Sequence, residues 1–487
     1  MKRSAIFTVL FAALLSVAAH AGDLVRVTAL EAGVYDAPGG SSLDIRVHRG
    51  SVMQYLDESR GWLRVQLRNG VQGWVPGWSA ARFSQDRFLP PIPGPEFLNP
   101  SLDAPAFATV FSDFALLRSD PTNTLPAASD RTRLGMLPRG VRLKLVGRQG
   151  NWFRVELSRA FHAWVYGELL DFSPGAGFGA DARLRSAALL PDKRRHTLQI
   201  ALDRKAPFRL FSTDRGVELY IYGAAAAGPL PARSGPFTMR QAWPDVLVVE
   251  CALRHAPLGF SAQYLDVPLL TGGATLLFQV NRPRAPHHTD RGPLSRWRIA
   301  LDPGHGAATP PLGYAAGTST SDGLAEHEVN LTVALTAARY LEDFGAEVIL
   351  TRTDRTDAMN DLYARTDLAL ERKADIFVSI HANGGPPSAS GLEVYHFEPH
   401  SQALAAALTR QLEARINTGP GQTRFASFAV LRQTQFPSAL VELGYMTNAR
   451  EARLFRDPAF LDNCARGIAE GVAAYIAQFS APGHPAN

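Results

Sequence analysis

Residues 298–309 read RIALDPGHGAAT, and this stretch decides the fold class of the C-terminal part of the 487-residue chain. A short apolar run, residues 299–301, ends in Asp-Pro-Gly-His-Gly. A continuous apolar run that stops at turn residues is typical of a strand buried on both faces of an α/β sheet. The turn that follows such a strand can cradle a phosphate or carry a histidine to a metal.

The phosphate interpretation of this turn lacks its usual residues. A dinucleotide-binding turn needs a third glycine at position 309, where this chain has Thr309. A P-loop needs Gly-Lys-Ser/Thr, which is absent from the stretch. His305, just beyond the end of the predicted strand, is therefore the candidate functional residue.

Strand-like and helix-like segments alternate from residue 296 onward. The first helical segment carries an apolar stripe of Leu331, Leu335, Ala338 and Leu341 and ends at Gly345. The alternation predicts an α/β domain over residues 296–480, with an open, mostly parallel sheet whose sites gather at the carboxyl ends of the strands. Further strands are predicted at 347–352, 375–381, 391–397 and 438–444, and helices at 327–344, 361–373, 401–416 and 458–478.

A second histidine ends another apolar strand. His381 follows residues 376–380 and precedes Ala-Asn-Gly. Either histidine alone is explained by a structural role, but two imidazoles at the ends of two buried strands can converge on a zinc ion. The sequence therefore predicts His305 and His381 as metal ligands.

Two acidic positions complete the candidate site. The segment GLAEHEVNL, residues 323–331, stands at a helix entry and offers Glu326, His327 and Glu328 as a third ligand. The helix dipole alone would explain one acid there. Glu442 lies inside the apolar strand ALVELG, where a carboxylate is costly unless it is paired, protonated or functional. It is either a general base and acid in catalysis or half of a structural salt bridge.

The N-terminal half contains an internal repeat. Residues 61–75, GWLRVQLRNGVQGWV, correspond to residues 151–165, NWFRVELSRAFHAWV, at an offset of 90 residues. Leu63, Val65 and Leu67 alternate with polar residues, which indicates a half-buried strand. Each copy is predicted to be a small all-β barrel, over 22–85 and 106–172.

The rest of this half is predicted to be β structure and linkers. Residues 182–283 contain four strand-like segments and form a third β domain. The Pro-rich residues 86–105 and the Gly-rich residues 173–181 read as linkers.

The first 21 residues read as a secretory signal peptide. Lys2 and Arg3 precede an apolar stretch, and Ala-His-Ala precedes Gly22. We expect an exported protein with no transmembrane segment in its mature form; a retained N-terminal anchor is the alternative. Cys251 and Cys464 are expected to be two buried thiols, although an oxidising compartment would permit a bridge. The net charge of +5 is too small to indicate nucleic-acid binding.

The C-terminal motifs resemble, in order, those of the zinc-dependent N-acetylmuramoyl-L-alanine amidases (the amidase_3 family). That resemblance implies one Zn²⁺ held by His305, Glu326 and His381, with Glu442 catalytic and peptidoglycan as the substrate. The repeats resemble bacterial SH3-like (SH3b) domains, and residues 182–283 resemble the AMIN domain. Both resemblances imply wall targeting, in the periplasm or as a secreted or wall-associated protein. The matching segments are RIALDPGHG (298–306), GLAEHEVNL (323–331), VILTR (348–352), VSIHAN (378–383) and LRQTQFPSALVELGYMTN (431–448).

The chain departs from the family pattern at three places. After Gly-His-Gly the family commonly has Gly-x-Asp-Pro-Gly, but this chain has AATPPLG, residues 307–313; after Glu326 it has His327 in place of the usual lysine. Regulated members insert a helix that blocks the zinc, whereas only 33 residues separate Phe397 from Leu431 here, so no such plug is predicted.

Three alternatives to a zinc amidase remain. They are a non-haem iron oxygenase, a zinc peptidase acting on a stem-peptide bond and a non-enzymatic wall-binding protein.

Overall fold

The chain is described by a computed structural model, in which the described residues form two compact units. The first unit holds one β-sheet, and the second holds all the others. The predicted signal peptide and both predicted linkers lie outside the described residues. The described residues are 23–28, 31–48, 51–67, 70–84, 106–121, 130–159, 161–172, 182–213, 215–230, 233–254, 256–265, 273–282, 292–306, 317–355 and 362–479.

The first unit is a seven-stranded sheet, here called the first repeat sheet, with the order β3-β2-β6-β5-β4-β1-β7. The predicted alternation is correct, because Leu63, Val65 and Leu67 are buried while Arg64 is exposed. The strands are β1 (Asp23–Val27), β2 (Glu31–Tyr35), β3 (Ser42–His48), β4 (Val52–Ser59), β5 (Trp62–Gln66), β6 (Gln72–Pro76) and β7 (Ala80–Ser84).

The second repeat sheet has the same topology. Its order, β10-β9-β13-β12-β11-β8-β14, reproduces that of the first sheet strand for strand. The register agrees as well, since Arg64 lies opposite Trp74 and Arg154 lies opposite Trp164. The two sheets are thus copies of one module. The strands of the second repeat sheet are β8 (Ala106–Val110), β9 (Phe114–Arg118), β10 (Arg133–Pro138), β11 (Arg142–Gln149), β12 (Trp152–Ser158), β13 (Phe161–Tyr166) and β14 (Leu170–Asp171).

The third β domain consists of two sheets, ordered β19-β15-β16-β23-β22 and β17-β18-β21-β20. Phe237 of one sheet contacts Phe278 of the other, with ring centroids 5.4 Å apart. Cys251 is a buried free thiol, as expected. The strands are β15 (Ala182–Leu190), β16 (Arg195–Leu202), β17 (Phe208–Thr213), β18 (Gly216–Tyr222), β19 (Ala224–Ala226), β20 (Phe237–Trp243), β21 (Val246–Ala252), β22 (Phe260–Tyr264) and β23 (Ala274–Asn281).

The C-terminal α/β domain has a six-stranded sheet with the order β25-β24-β26-β29-β27-β28. Only the β27–β29 pairing is antiparallel, so the sheet is mostly parallel, as predicted. Its elements are β24 (Arg298–Pro303), α1 (Glu326–Asp343), β25 (Glu347–Leu350), α2 (Leu362–Glu371), β26 (Ile376–Asn383), β27 (Glu393–His396), α3 (Gln402–Glu413), β28 (Gln422–Phe425), β29 (Ser438–Tyr445), α4 (Ala449–Leu454) and α5 (Pro458–Ala477).

Helices cover both faces of this sheet. One core contains α1, α3 and α5, with the free thiol of Cys464 buried in it, and a smaller core lies under α2. The predicted apolar stripe of α1 was wrong at Leu335, which is 38% exposed. The helix instead buries the i, i+4 series Val333, Ala337 and Leu341, and Leu335 lies about 200° around the helix from Val333.

Within the second unit, the third β domain is bonded directly to the α/β domain. Phe260 and Thr434 exchange two hydrogen bonds: the Phe260 N–H donates to the Thr434 carbonyl at 2.7 Å, and the Thr434 hydroxyl donates to the Phe260 carbonyl at 2.8 Å. Asn281 Nδ2 donates to the Gln435 carbonyl at 2.8 Å. No helix among the described residues is long and apolar enough to cross a membrane.

Candidate metal centre

The turn after β24 places His305 beside His381. His305 adopts a left-handed backbone conformation with φ of 61°, which is uncommon for a residue with a side chain. Only glycine fits at the preceding position, because a Cβ at Gly304 would lie 2.2 Å from Nε2 of His381. The sequence Pro-Gly-His therefore lets the strand end approach the neighbouring imidazole closely.

Two buried arginines hold this turn in place. Arg365 Nη2 and Arg352 Nε both donate to the His305 carbonyl, at 2.7 and 3.0 Å. Arg365 is in turn paired with the buried Asp302 at 2.6 Å. Burial raises the pKa of Asp302, but Arg365 and hydrogen bonds from Ser379 and Thr351 outweigh it and lower that pKa. The strained backbone at His305 is thus held by hydrogen bonds from the buried network of Arg352, Arg365 and Asp302.

His305, Glu326 and His381 converge. Oε1 of Glu326, the first residue of α1, lies 3.3 Å from Nε2 of His305 and 3.0 Å from Nδ1 of His381. The Thr318 N–H donates to Oε2 of Glu326 at 2.9 Å, and Asn330 Nδ2 lies 3.3 Å from Oε1. Burial raises the pKa of Glu326, but hydrogen bonds from the two imidazoles outweigh it and lower that pKa.

These three side chains suit a zinc ion. One candidate ligand atom from each lies within 4.8 Å of the others, and two imidazoles with one carboxylate are a common zinc-binding set. Gly317 leaves space beside them, since a Cβ there would lie 2.3 Å from Oε2 of Glu326. The His305 side chain is 31% exposed whereas that of Glu326 is 6% exposed, so the cluster opens toward solvent on its histidine side.

Glu442 lies on the strand next to His381. β26 and β29 are parallel, and these two residues are direct partners in the register. Burial raises the pKa of Glu442 well above its usual range, and the nearby carboxylates of Glu326 and Glu393 raise it further. Its Oε2 atom is buried and has no hydrogen-bond partner among the described residues. Among the described residues no cation pairs with this carboxyl group, so the structural salt bridge that the sequence left open is not formed there.

Glu393 is a neighbouring acid that sequence reasoning did not select. It lies opposite Glu442 on β27 and is buried. Unlike Glu442, it accepts hydrogen bonds from Tyr395 at 2.6 Å, from Asn383 at 3.1 Å, and also from Tyr445 and Arg424. The available signal was an acid within the apolar strand LEVY, the same signal that selected Glu442.

The other two candidate ligands at the start of α1, His327 and Glu328, are not part of this cluster. The imidazole of His327 is outside the three-residue cluster, and its backbone carbonyl accepts a hydrogen bond from Arg352 at 2.6 Å. Glu328 lies 4.0 Å from Arg355. Residues 307–313, which differ from the family pattern, lie outside the described residues. Of the three side chains considered as third ligand, only Glu326 joins the two histidines.

The C-terminal part of this chain matches a known protein family. The family model described as N-acetylmuramoyl-L-alanine amidase matches residues 299–474. The germination-specific N-acetylmuramoyl-L-alanine amidase of Bacillus subtilis is 32% identical over 206 residues, covering 39% of this chain and 84% of that protein. This chain belongs to the N-acetylmuramoyl-L-alanine amidase family. The resemblance of the C-terminal motifs to the amidase family is thereby confirmed.

Two other relatives match part of this amidase-family chain. LytC of Bacillus subtilis, named an N-acetylmuramoyl-L-alanine amidase, is 31% identical over 190 residues, which cover 38% of this chain and only 36% of LytC. The catalytic domain of CwlV, an amidase from Bacillus (Paenibacillus) polymyxa, is 34% identical, with 37% of this chain and 97% of that one covered and a TM-score of 0.34. The family match contains all four candidate residues, His305, Glu326, His381 and Glu442.

Proposed function

We propose that this protein is an exported zinc hydrolase that cleaves the amide between N-acetylmuramic acid and L-alanine in peptidoglycan. The observation that carries the proposal is the convergence of His305, Glu326 and His381 beside Glu442, whose Oε2 atom is buried and unpaired among the described residues, in a chain of the amidase family. The two histidines and Glu326 would hold the metal. Two histidines and one carboxylate also suit iron, and the family membership favours zinc.

Bound zinc would polarise the scissile carbonyl and activate water. The chain itself supplies position and proton transfer. The Asp302–Arg365 pair orients His305, and the packing of His381 against Gly304 orients the second imidazole. Glu442 accepts the proton of the attacking water and delivers it to the leaving nitrogen of L-alanine, which departs as an amine.

The N-terminal modules would keep the enzyme on the wall polymer. The two repeat sheets share one topology, which supports the SH3-like interpretation, and the two-sheet third domain is compatible with an AMIN-type sandwich. Trp62, Trp74 and Trp164 are partly exposed, and such rings can stack on sugars or peptides. Tethering raises the effective substrate concentration at the active site. The predicted signal peptide supports export, with the periplasm or the wall as the site of action.

Metal analysis combined with an active-site variant tests the proposal. We expect Glu442→Ala to retain one zinc ion per chain and to lose release of wall peptides, because the three ligands remain while the proton carrier is absent. Glu451→Ala, which alters a fully buried carboxylate of the same domain, is the control for general damage. Full hydrolysis by Glu442→Ala would contradict the assigned role, and wild-type protein that binds no zinc would contradict the proposed metal centre.

A further inference from the structure

A cavity of about 610 Å³ lies within the second unit where three domains meet. The second repeat sheet contributes Phe114 and Arg133, the third β domain contributes Arg209, and the α/β domain contributes Tyr363 and Arg432. Cavities of this volume at domain interfaces commonly bind small ligands. The four residues of the proposed active site are not part of its lining. We call it the junction cavity.

Contacts between domains fix the walls of the junction cavity. Arg209 Nε donates to the Leu134 carbonyl at 2.8 Å, which joins the third β domain to the second repeat sheet. The guanidinium of Arg131 stacks on the Phe425 ring at 4.1 Å, which joins that sheet to the α/β domain. Because the walls are held before a ligand arrives, binding there would cost little ordering entropy.

Positive charge around the cavity exceeds negative charge. Four guanidinium groups line it, and among the described residues only Arg133 has a carboxylate partner, Asp130 at 3.3 Å. Burial lowers the pKa of Arg432 to about 10, so this group is still charged at neutral pH. Its Nη1 atom is buried without an acceptor in the described structure. Guanidinium groups in this state favour a ligand that carries carboxylates, which they bind in a bidentate geometry.

The remaining lining groups suit the rest of a peptide. Glu398 lines the same cavity, and burial raises the pKa of its carboxyl group to about 7. An amino group brought next to Glu398 would stabilise the charged carboxylate. The amides of Gln263 and Gln433 can bond to peptide groups, and the Phe211 and Phe397 rings can cover aliphatic carbons.

We propose that the junction cavity binds an acidic peptide that also carries a free amino group, with Arg131, Arg209 and Arg432 on its carboxylates and Glu398 on its amine. The identification of this peptide as a stem peptide of the wall rests on the proposed function. The charge pattern of the cavity is independent of that function. The site would hold a strand of substrate, or its released product, apart from the metal centre.

Calorimetric titration of the zinc-loaded, full-length protein with L-alanyl-γ-D-glutamyl-L-lysine tests the proposal. We expect Arg131→Gln and Arg209→Gln each to weaken binding about tenfold, the effect of losing one charge-assisted contact. The matched control is Arg148→Gln in the second repeat sheet, since Arg148 likewise stacks on a phenyl ring and donates to a backbone carbonyl but lies outside the cavity. Arg148→Gln should bind as the wild type does.

A change in the ligand serves as a second test that does not depend on variant folding. The tripeptide with its carboxylates amidated should bind at least tenfold more weakly to the unaltered protein. Equal binding of the amidated peptide, unchanged binding by both variants, or stronger binding of inorganic phosphate than of the tripeptide would each overturn the proposal. Hydrolysis of a soluble muramoyl peptide is measured on the same samples. Normal hydrolysis without tripeptide binding refutes only the cavity, and arginine-dependent binding without hydrolysis refutes only the proposed function.

Discussion

The imidazole of His381 lies directly over the backbone of Gly304, so closely that a Cβ at position 304 would come within 2.2 Å of Nε2. The glycine therefore matters for the second imidazole as well as for its own turn. We predict that Gly304→Ala displaces His381 and weakens zinc binding at least tenfold. Equilibrium dialysis against a zinc chelator measures this. Gly228→Ala is the control, since a Cβ there meets nothing within 4 Å, and equal zinc affinity in the two variants would contradict the prediction.

The buried pair Asp302–Arg365 positions His305 through its backbone carbonyl. We predict that Arg365→Lys weakens zinc binding more, in free-energy terms, than it lowers the free energy of unfolding. Lysine can neutralise Asp302 but cannot reach both Asp302 and the His305 carbonyl. Asp302→Ala, which leaves a buried guanidinium unpaired, should cost about 3–5 kcal/mol of unfolding free energy.

The control for the arginine substitution is Arg415→Lys, which alters a bidentate pair with Glu470 on the helical face. This variant should keep full zinc affinity. If Arg365→Lys and Arg415→Lys differ only in melting temperature and bind zinc equally well, the two arginines play the same structural role and the positioning role is wrong.

The predicted absence of a plug over the metal has a functional consequence. Residues 398–430 are all described, and α3 is their only α-helix, with its apolar residues packed into the main core. We predict that the purified full-length protein releases peptides from isolated peptidoglycan without an added activator. A protein that is inactive alone but active after partial proteolysis would contradict this.

Glu398 gives the protein a pH-dependent stability. Burial raises its pKa from 4.5 to about 7 in the folded state, so the stabilisation is complete below pH 4.5 and is lost as the pH rises through 7. Glu398→Gln removes this loss, and we expect its unfolding free energy relative to wild type to increase by roughly 2 kcal/mol between pH 5 and pH 8. Denaturant titrations at both pH values measure it. Glu413→Gln, on the exposed side of α3, is the control, and a parallel pH response in the two variants would count against the account.

Local sequence patterns were sufficient for much of the fold and the site. Apolar runs that stop at turn residues located β24 and β26, and the histidines at their ends meet because parallel neighbours end at one edge of the sheet. Glu442 was visible as an acid inside an apolar strand. The duplicated module was visible because both copies keep the same tryptophan spacing, and their sheets share one strand order.

Features that depend on tertiary contacts could not be predicted in this way. Asp302 lies on β24, and its partner Arg365 lies 63 positions away on α2, so no local pattern pairs them. Leu335 fits an apolar stripe of α1, but the position of α5 and the sheet decides which side of that helix is buried. The junction cavity exists only because three domains meet, so its arginines lie far apart in the sequence, from Arg131 to Arg432.

Fragment analysis by mass spectrometry, after digestion of purified peptidoglycan with the zinc-loaded protein, tests the central claim most directly. We predict free stem peptides that begin with an unblocked L-alanine amino group, together with glycan chains whose lactyl groups end in a free carboxylate. Peptides cut between two stem residues, with L-alanine still attached to muramic acid, would contradict the account and identify a peptidase instead.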